Sequence, residues 1–190
     1  MSRVPPLDRC ERQLVRDEVL RWHNRAWTVH AVSVMPDHVH ILATPLEASE
    51  GEWSALPEIM QRVKGRSAYS INKLRRRQGS LWLIESYDPI IRSGRDFDEK
   101  FGYMQNNAGV KGLTGPLDEY DGFWCEGMEA IPEEKKATPH CPLRPRLLKP
   151  PPRNLPLGKR ILPGALVKTR RRLPHWQVAG STYFIEFGLR

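Results

Sequence analysis

Apolar residues recur at helical spacing over 9–23, where Leu14, Val15, Val19, Leu20 and Trp22 supply the buried side and Asp8 is placed to cap the first turn. The period then shortens to two. Residues 26–34 and 38–44 read as strands joined by Met35-Pro36-Asp37, with Thr28, His30, Val32 and Val34 on one face and Val29, Ala31 and Ser33 on the other. A helix is predicted over 56–77, burying Ile59, Val63, Ile71 and Leu74 and ending at Gly79. A short strand at 81–86 and a last helix at 96–107, stopped by Gly109, complete the first 113 residues. Far downstream, residues 174–190 read as one more strand, in which Tyr183, Ile185 and Phe187 alternate with Thr182, Phe184 and Glu186. A lone strand is not stable, so this one must complete a sheet built elsewhere. Four strands and three helices make an α+β pattern.

The stretch between these parts has a different composition. Ten of the 17 prolines fall between Pro132 and Pro174, and no acidic residue occurs between Glu134 and Glu186. Proline fixes φ and removes an amide donor, so the segment reads as an extended basic linker. The predicted organisation is one domain made of residues 1–113 plus 174–190, with 114–173 as linker. Thirty Lys and Arg against 22 Asp and Glu leave a charge of +8, which makes a polyanion a natural partner and equally fits a merely basic surface. Three scattered cysteines argue against a disulfide framework or a zinc knuckle. No apolar run is long enough to span a bilayer and the N-terminus lacks a signal-like apolar core, so the expectation is a cytoplasmic protein with no membrane association.

Two features carry candidate chemistry. His38 and His40 flank Val39, and residues two apart on a strand point to the same face with Cα atoms roughly 6.5 Å apart. Two imidazoles so placed can converge on a divalent cation, although a bare His-x-His pair also arises by chance. With two nitrogen ligands, an oxygen donor and water, such a site suits Mg²⁺ or Mn²⁺ better than zinc. In the last helix Phe97, Phe101 and Met104 form the core stripe, and Tyr103 and Asn107 share a face turned roughly 80–100° from it. A tyrosine there either packs at the flank of the core or acts as a nucleophile on a phosphodiester, with Asn107 able to supply the oxygen ligand.

Taken in order, AWTVHAVSVMPDHVHIL, the segment from Leu56 to Phe97 with its Gly-x-x-Trp, Tyr-Asp and Ile-Arg, and YMQNNAGVKGL resemble the REP-associated tyrosine transposases, within the single-tyrosine HUH transposase family of insertion-sequence-200 type. The resemblance covers most of residues 7–113. It implies a ferredoxin-like antiparallel sheet with helices on one face, His38, His40 and Asn107 as metal ligands, and Tyr103 as nucleophile. It further implies a homodimer that nicks and rejoins single-stranded hairpin DNA through a 5′-phosphotyrosine, close to the nucleoid. Asp37 stands where the family has Asn, and Ala108 where it has Pro. The family's opening Leu-Pro-His-Trp…Tyr-Phe strand is here the C-terminus, so the chain resembles a circular permutant, or else carries the stump of a tandem copy. A linker of this length permits the strand to close on its own domain or on a partner's. Phosphate contacts are expected from Lys64, Arg66, Arg75, Arg76, Arg92, Arg171 and Arg172, with His175 and Trp176 gripping the hairpin. The competing readings are a binding module of the same fold that recognises palindromic repeats without cutting, and an unrelated basic α+β protein.

Overall fold

The structure, a computed structural model, describes residues 4–113, 120–127 and 178–190, together with the backbone of 160–161, 167–169 and 175–177. Its elements in chain order are α1 (Arg9–Leu20), β1 (Trp27–Val34), β2 (His38–Pro45), β3 (Glu47–Ser49), β4 (Glu52–Ser54), α2 (Leu56–Leu74), α3 (Gly94–Val110), β5 (Phe123–Cys125), β6 (Arg160–Ile161), β7 (Val167–Thr169), β8 (His175–Gln177) and β9 (Tyr183–Gly188). The chain is α+β, with a four-stranded antiparallel sheet in the order β5-β1-β2-β9 and three helices. The C-terminal strand completes the sheet within its own chain, pairing with β2 from His38↔Gly188 to Ala43↔Tyr183.

The sheet is sandwiched rather than covered on one face, which corrects the expectation of helices on one side only. Val39, Ile41 and Ala43 of β2, with Tyr183, Ile185 and Phe187 of β9, meet Val15 and Val19 of α1 and Ile59, Val63 and Ile71 of α2. Leu42 and Phe184, one residue out of phase, meet Met104, Phe97 and Phe101 of α3. Alternation along each strand therefore sends one set of residues to the α1/α2 layer and the other to α3. In β1 the pairing with β2 shifts between Val29 and Ala31. This bulge at His30 resets the phase, so Val32 and Val34 join Val29 in the main core instead of facing with Thr28 and His30.

Three further boundaries differ from the pattern reading. Residues 81–86 form no regular strand; residues 82–90 make isolated bridges along the outer edge of β9 and the residue after it, at Trp82↔Leu189, Tyr87↔Glu186 and Ile90↔Tyr183. Residues 174–190 are two strands, β8 and β9, parted by a turn in which Gly180 has φ +71. Residues 120–125, expected to be linker, also differ. Residues 120–125 dock on the domain: β5 pairs with the outer edge of β1, the Tyr120 hydroxyl donates to the Val34 carbonyl at 2.7 Å, and Arg9 pairs with Asp121. The sequence between Pro116 and Pro132 is free of proline and holds Phe123 and Trp124, which is what a short edge strand requires. Gly122 is needed there because a Cβ would collide with the Val34 carbonyl and the Tyr120 ring. Cys10 is disulfide-bonded and Cys125 is free.

Charge ties α1 to α2. Asp8 and Glu11 form a reciprocal capping box, with both bonds at 2.9 Å. The buried Glu11 carboxylate also accepts from Arg75 Nε and Nη2 at 2.5 and 2.6 Å, while Arg75 donates to the carbonyls of Pro5 and Pro6. One guanidinium thus fastens the end of α2 to the start of α1 and to the segment before it. Removing one partner of a buried pair strands the other charge. Arg75→Met is expected to cost about 3 kcal/mol in urea unfolding, and Glu11→Gln added to it to recover part of that loss. Equal stability of Arg75→Met and wild type would refute the role given to this pair.

Candidate active site

Three elements build the site on the α3 face of the sheet. Strand β2 presents His38 and His40, β9 presents Phe184 and Glu186, and α3 lays Tyr103 and Asn107 over them. Helix α3 is set in place at both ends. The Ser93 hydroxyl accepts from the Asp96 amide at 3.1 Å at its start. At its end the Leu113 amide donates to Ala108 and the Gly112 amide to Gly109, with Gly112 at φ +65. That closure is of Schellman type, and it carries the helix one turn beyond the expected stop.

The His40 ring lies at the centre. Its centroid is 4.7 Å from that of His38 and 5.3 Å from that of Tyr103, both edge-on, and it stacks on Phe184 at 5.4 Å. His40 is 1% exposed, and neither ring nitrogen has a hydrogen-bond partner. Glu186 Oε2 lies 3.7 Å from Nδ1, beyond hydrogen-bond range. Asn107 is buried as well, and its Nδ2 has no partner. Tyr103, by contrast, is 51% exposed. His38 Nδ1 is 2.5 Å from Asp37 Oδ1, which leaves Nε2 as its outward nitrogen.

Burial sets the protonation of the central histidine. Desolvation, reinforced by neighbouring His38, Lys100 and Lys111, outweighs the opposing pull of Asp37 and brings the His40 pKa down to about 3. His40 is therefore a neutral imidazole at physiological pH, the form that ligates metals. The Asp37 carboxyl is held below its ordinary value by its bond to His38, against the opposing effect of its own desolvation.

Three of the residues expected at the site come together, the rings of His38, His40 and Tyr103; Asn107 lies buried one turn further along α3. The expected phosphate contacts fare differently. Lys64 donates to the Ile84 carbonyl and the Ser86 hydroxyl, Arg66 is paired with buried Glu18, and Arg75 with Glu11. Lys64 and Arg66 belong to α2 and Arg75 caps its C-terminus, on the opposite face of the sheet from Tyr103. Arg76 ends α2 in a left-handed conformation, with φ +50. Arg92 precedes α3, its amide bonded to Asp96. Arg171 and Arg172 lie outside the described residues, as do the side chains of His175 and Trp176 on β8.

The cations that face the site are Lys100 and Lys111. Lys100 Nζ stands 5.1 Å above the Phe184 ring, and both lysines act on His40. Their signal was available in the spacing: Lys100, Tyr103, Asn107 and Lys111 follow one another at three, four and four residues along a single helix face. Glu186 was read only as a polar position in a strand, because its place opposite His40 depends on strand register. Among the described residues no group of three or more His, Cys, Asp or Glu side chains is already gathered for a metal. The donors that would fit one are two imidazoles and the Asn107 amide oxygen; the orphaned buried nitrogens of His40 favour a ligand there, whereas the orphaned atom of Asn107 is its Nδ2, a donor. No family model, curated protein or solved structure matches this chain.

The His40 shift has a measurable consequence. Its native pKa lies below the ordinary 6.5, so between about pH 6.5 and 3 the unfolded chain binds a proton that the native one does not. Stability from this group is complete above pH 6.5 and is lost as the pH falls, with a slope of up to about 1.4 kcal/mol per pH unit. His30, also lowered by burial, adds loss of the same sign. His40→Asn is expected to flatten the acid limb of urea stability against pH; an unchanged limb would rule the assignment out.

Proposed function

We propose that this chain is a metal-dependent nuclease and strand transferase for single-stranded, hairpin-forming DNA, of the single-tyrosine HUH type, with Tyr103 as its nucleophile. The observation that carries the reading is the exposed Tyr103 ring standing 5.3 Å from the ring of a buried, neutral His40 whose two nitrogens are unpaired. A packing tyrosine would not need an orphaned imidazole beside it, and a structural histidine would satisfy its nitrogens.

Tyr103 Oη attacks the scissile phosphorus, forming the Oη–P bond as the P–O3′ bond breaks. The phenol gives up its proton and the departing 3′ oxygen takes one up. The resulting 5′-phosphotyrosine retains the bond energy, and attack by a 3′ hydroxyl reverses the step. A bound Mg²⁺ or Mn²⁺ would supply Lewis-acid withdrawal of charge from the phosphate, held by His38, His40 and Asn107. Lys100 and Lys111 flank the tyrosine along α3 and attract the DNA backbone.

The antiparallel sheet with the histidine pair on an inner strand and the tyrosine on an overlying helix is compatible with the HUH-type, ferredoxin-like fold. The reordering of the chain also has support. The Val4 amide donates to the Arg190 carbonyl at 3.0 Å, so β9 leads through space towards α1, the order in which the family's first strand and helix occur.

Incubation with single-stranded hairpin oligonucleotides and Mn²⁺ tests the reading. A covalent protein–DNA adduct is expected, absent in Tyr103→Phe and reduced at least a hundredfold in His40→Ala. Specific binding with no adduct would make the chain a repeat-binding module, and no binding would end the nucleic-acid reading. The positions of the lysines generate a second expectation. Lys100→Ala and Lys111→Ala should each lower the slope of log affinity against log salt by about 0.7, with Arg66→Ala leaving it unchanged. The opposite pattern, measured by fluorescence anisotropy, would move the DNA to the α2 face.

A further inference from the structure

We propose that the cavity between the segment before α1, the β1–β2 turn and the end of α3 takes a single unpaired nucleobase of the bound strand, turned out beside the scissile phosphate. This rests on the nucleic-acid part of the reading above and adds which part of the strand the chain grips besides its backbone. The cavity has a volume of about 590 Å³. Ligand pockets run from about 300 to 1,000 Å³ and are mostly apolar, with a few fixed polar groups. Here the apolar walls include Pro6, Pro36, Leu113 and Leu189, and the polar groups are Asp37 and Lys111.

The walls are tied to one another before any ligand arrives. The Val4 amide donates to the Arg190 carbonyl at 3.0 Å, the Leu7 amide to the Pro36 carbonyl at 2.6 Å and the Leu189 amide to the Asp37 carbonyl at 2.8 Å. Arg75 holds the Pro5 and Pro6 carbonyls at 2.9 and 2.8 Å. Proline has a fixed φ and no side-chain entropy to lose, so a flat ligand meets a rigid apolar surface there. A preformed pocket spends little of its binding energy on ordering itself.

Position and the polar pair select the occupant. Asp37 Oδ1 is bonded to His38 Nδ1 at 2.5 Å, so the cavity adjoins the histidine pair directly. Lys111 caps α3 about 12 Å beyond Tyr103 along the helix axis, and its charge acts on both Asp37 and His40. A strand held at Tyr103 is therefore within reach of the cavity. A carboxylate only accepts hydrogen bonds and an ammonium only donates them. An unpaired base carries donors and acceptors on its planar edge and an apolar face on either side, so it matches the pair and the walls together. A phosphate alone would meet the Asp37 charge, and an aliphatic ligand would leave both polar groups unmatched.

The test is a scan of abasic substitutions through the single-stranded flank of a hairpin oligonucleotide, with binding to the full chain read by fluorescence anisotropy. One position is expected to lose about tenfold in affinity. Leu113 is 39% exposed, so Leu113→Trp can narrow the cavity without disturbing the core, which thermal melts would check. It should weaken binding of the intact strand by a similar factor and remove the difference between intact and abasic strands. Asp37→Asn, whose amide donates as well as accepts, should change the order of preference among the four bases at that position. Hairpin binding that is equal for every abasic strand, or a folded Leu113→Trp chain that still distinguishes them, would overturn the pocket and leave the nuclease standing. A position-specific loss in a chain that forms no adduct would uphold the pocket and remove the nuclease. No binding would end both.

Discussion

Strand β2 is an inner strand only because β9 pairs with it. Without that ladder, β2 would be an open edge, its amides and carbonyls exposed and its apolar residues short of neighbours. The pairing does two things in one register. It delivers Tyr183, Ile185 and Phe187 to the core shared with α1 and α2, and it delivers Phe184 and Glu186 to the α3 side. Phe184 then stacks on His40 and closes it off from water, and Glu186 comes opposite it. A slip of one residue would exchange these sets, exposing the apolar trio and removing both neighbours from the histidine. The stability of the sheet and the electrostatics of the site are therefore one constraint.

That constraint explains what could be read in advance. The alternation of Tyr183, Ile185 and Phe187 announced a strand needing a sheet, and the helical spacing of Phe97, Phe101 and Met104 separated Tyr103 from the core; both are local patterns with one dominant period. What escaped depended on partners. The bulge at His30 is a mismatch between β1 and β2 and leaves no mark in either strand alone. Strand β5 is three residues long and sits in a chain segment whose overall composition is that of a linker. The basic face of α2 looked available because sequence displays charge without its counter-charge. Glu11, buried on α1, neutralises Arg75, and buried Glu18, which also pairs with Arg21, holds Arg66.

The segregation of charge follows from the two-sided sheet. Arginines of α2 spend their charge within the α1/α2 layer, where they hold two helices together. The lysines of α3 face the opposite side, with Lys100 laid along an aromatic ring and Lys111 beyond the last turn, where a cation also complements the helix dipole. Net positive charge is thus a poor guide to where a polyanion would lie; what matters is which cations lack a buried carboxylate.

The energetics of position 40 argue for a role beyond packing. A buried imidazole with two unpaired nitrogens costs about 1–3 kcal/mol for each unsatisfied group, and its neighbours Leu42 and Phe184 would accept an aliphatic residue there at no such cost. Val39 and Ile41, on the other face, are the residues a stable strand would choose throughout. Burial also keeps the ring neutral, while Lys100 and Lys111 further oppose its protonation. The fold thus sustains an uncharged, water-excluded lone-pair donor in sight of an exposed phenol and a carboxylate. A ligand that accepts the ring's one lone pair recovers part of that cost in binding energy, whereas a chain selected for stability alone would have removed the histidine.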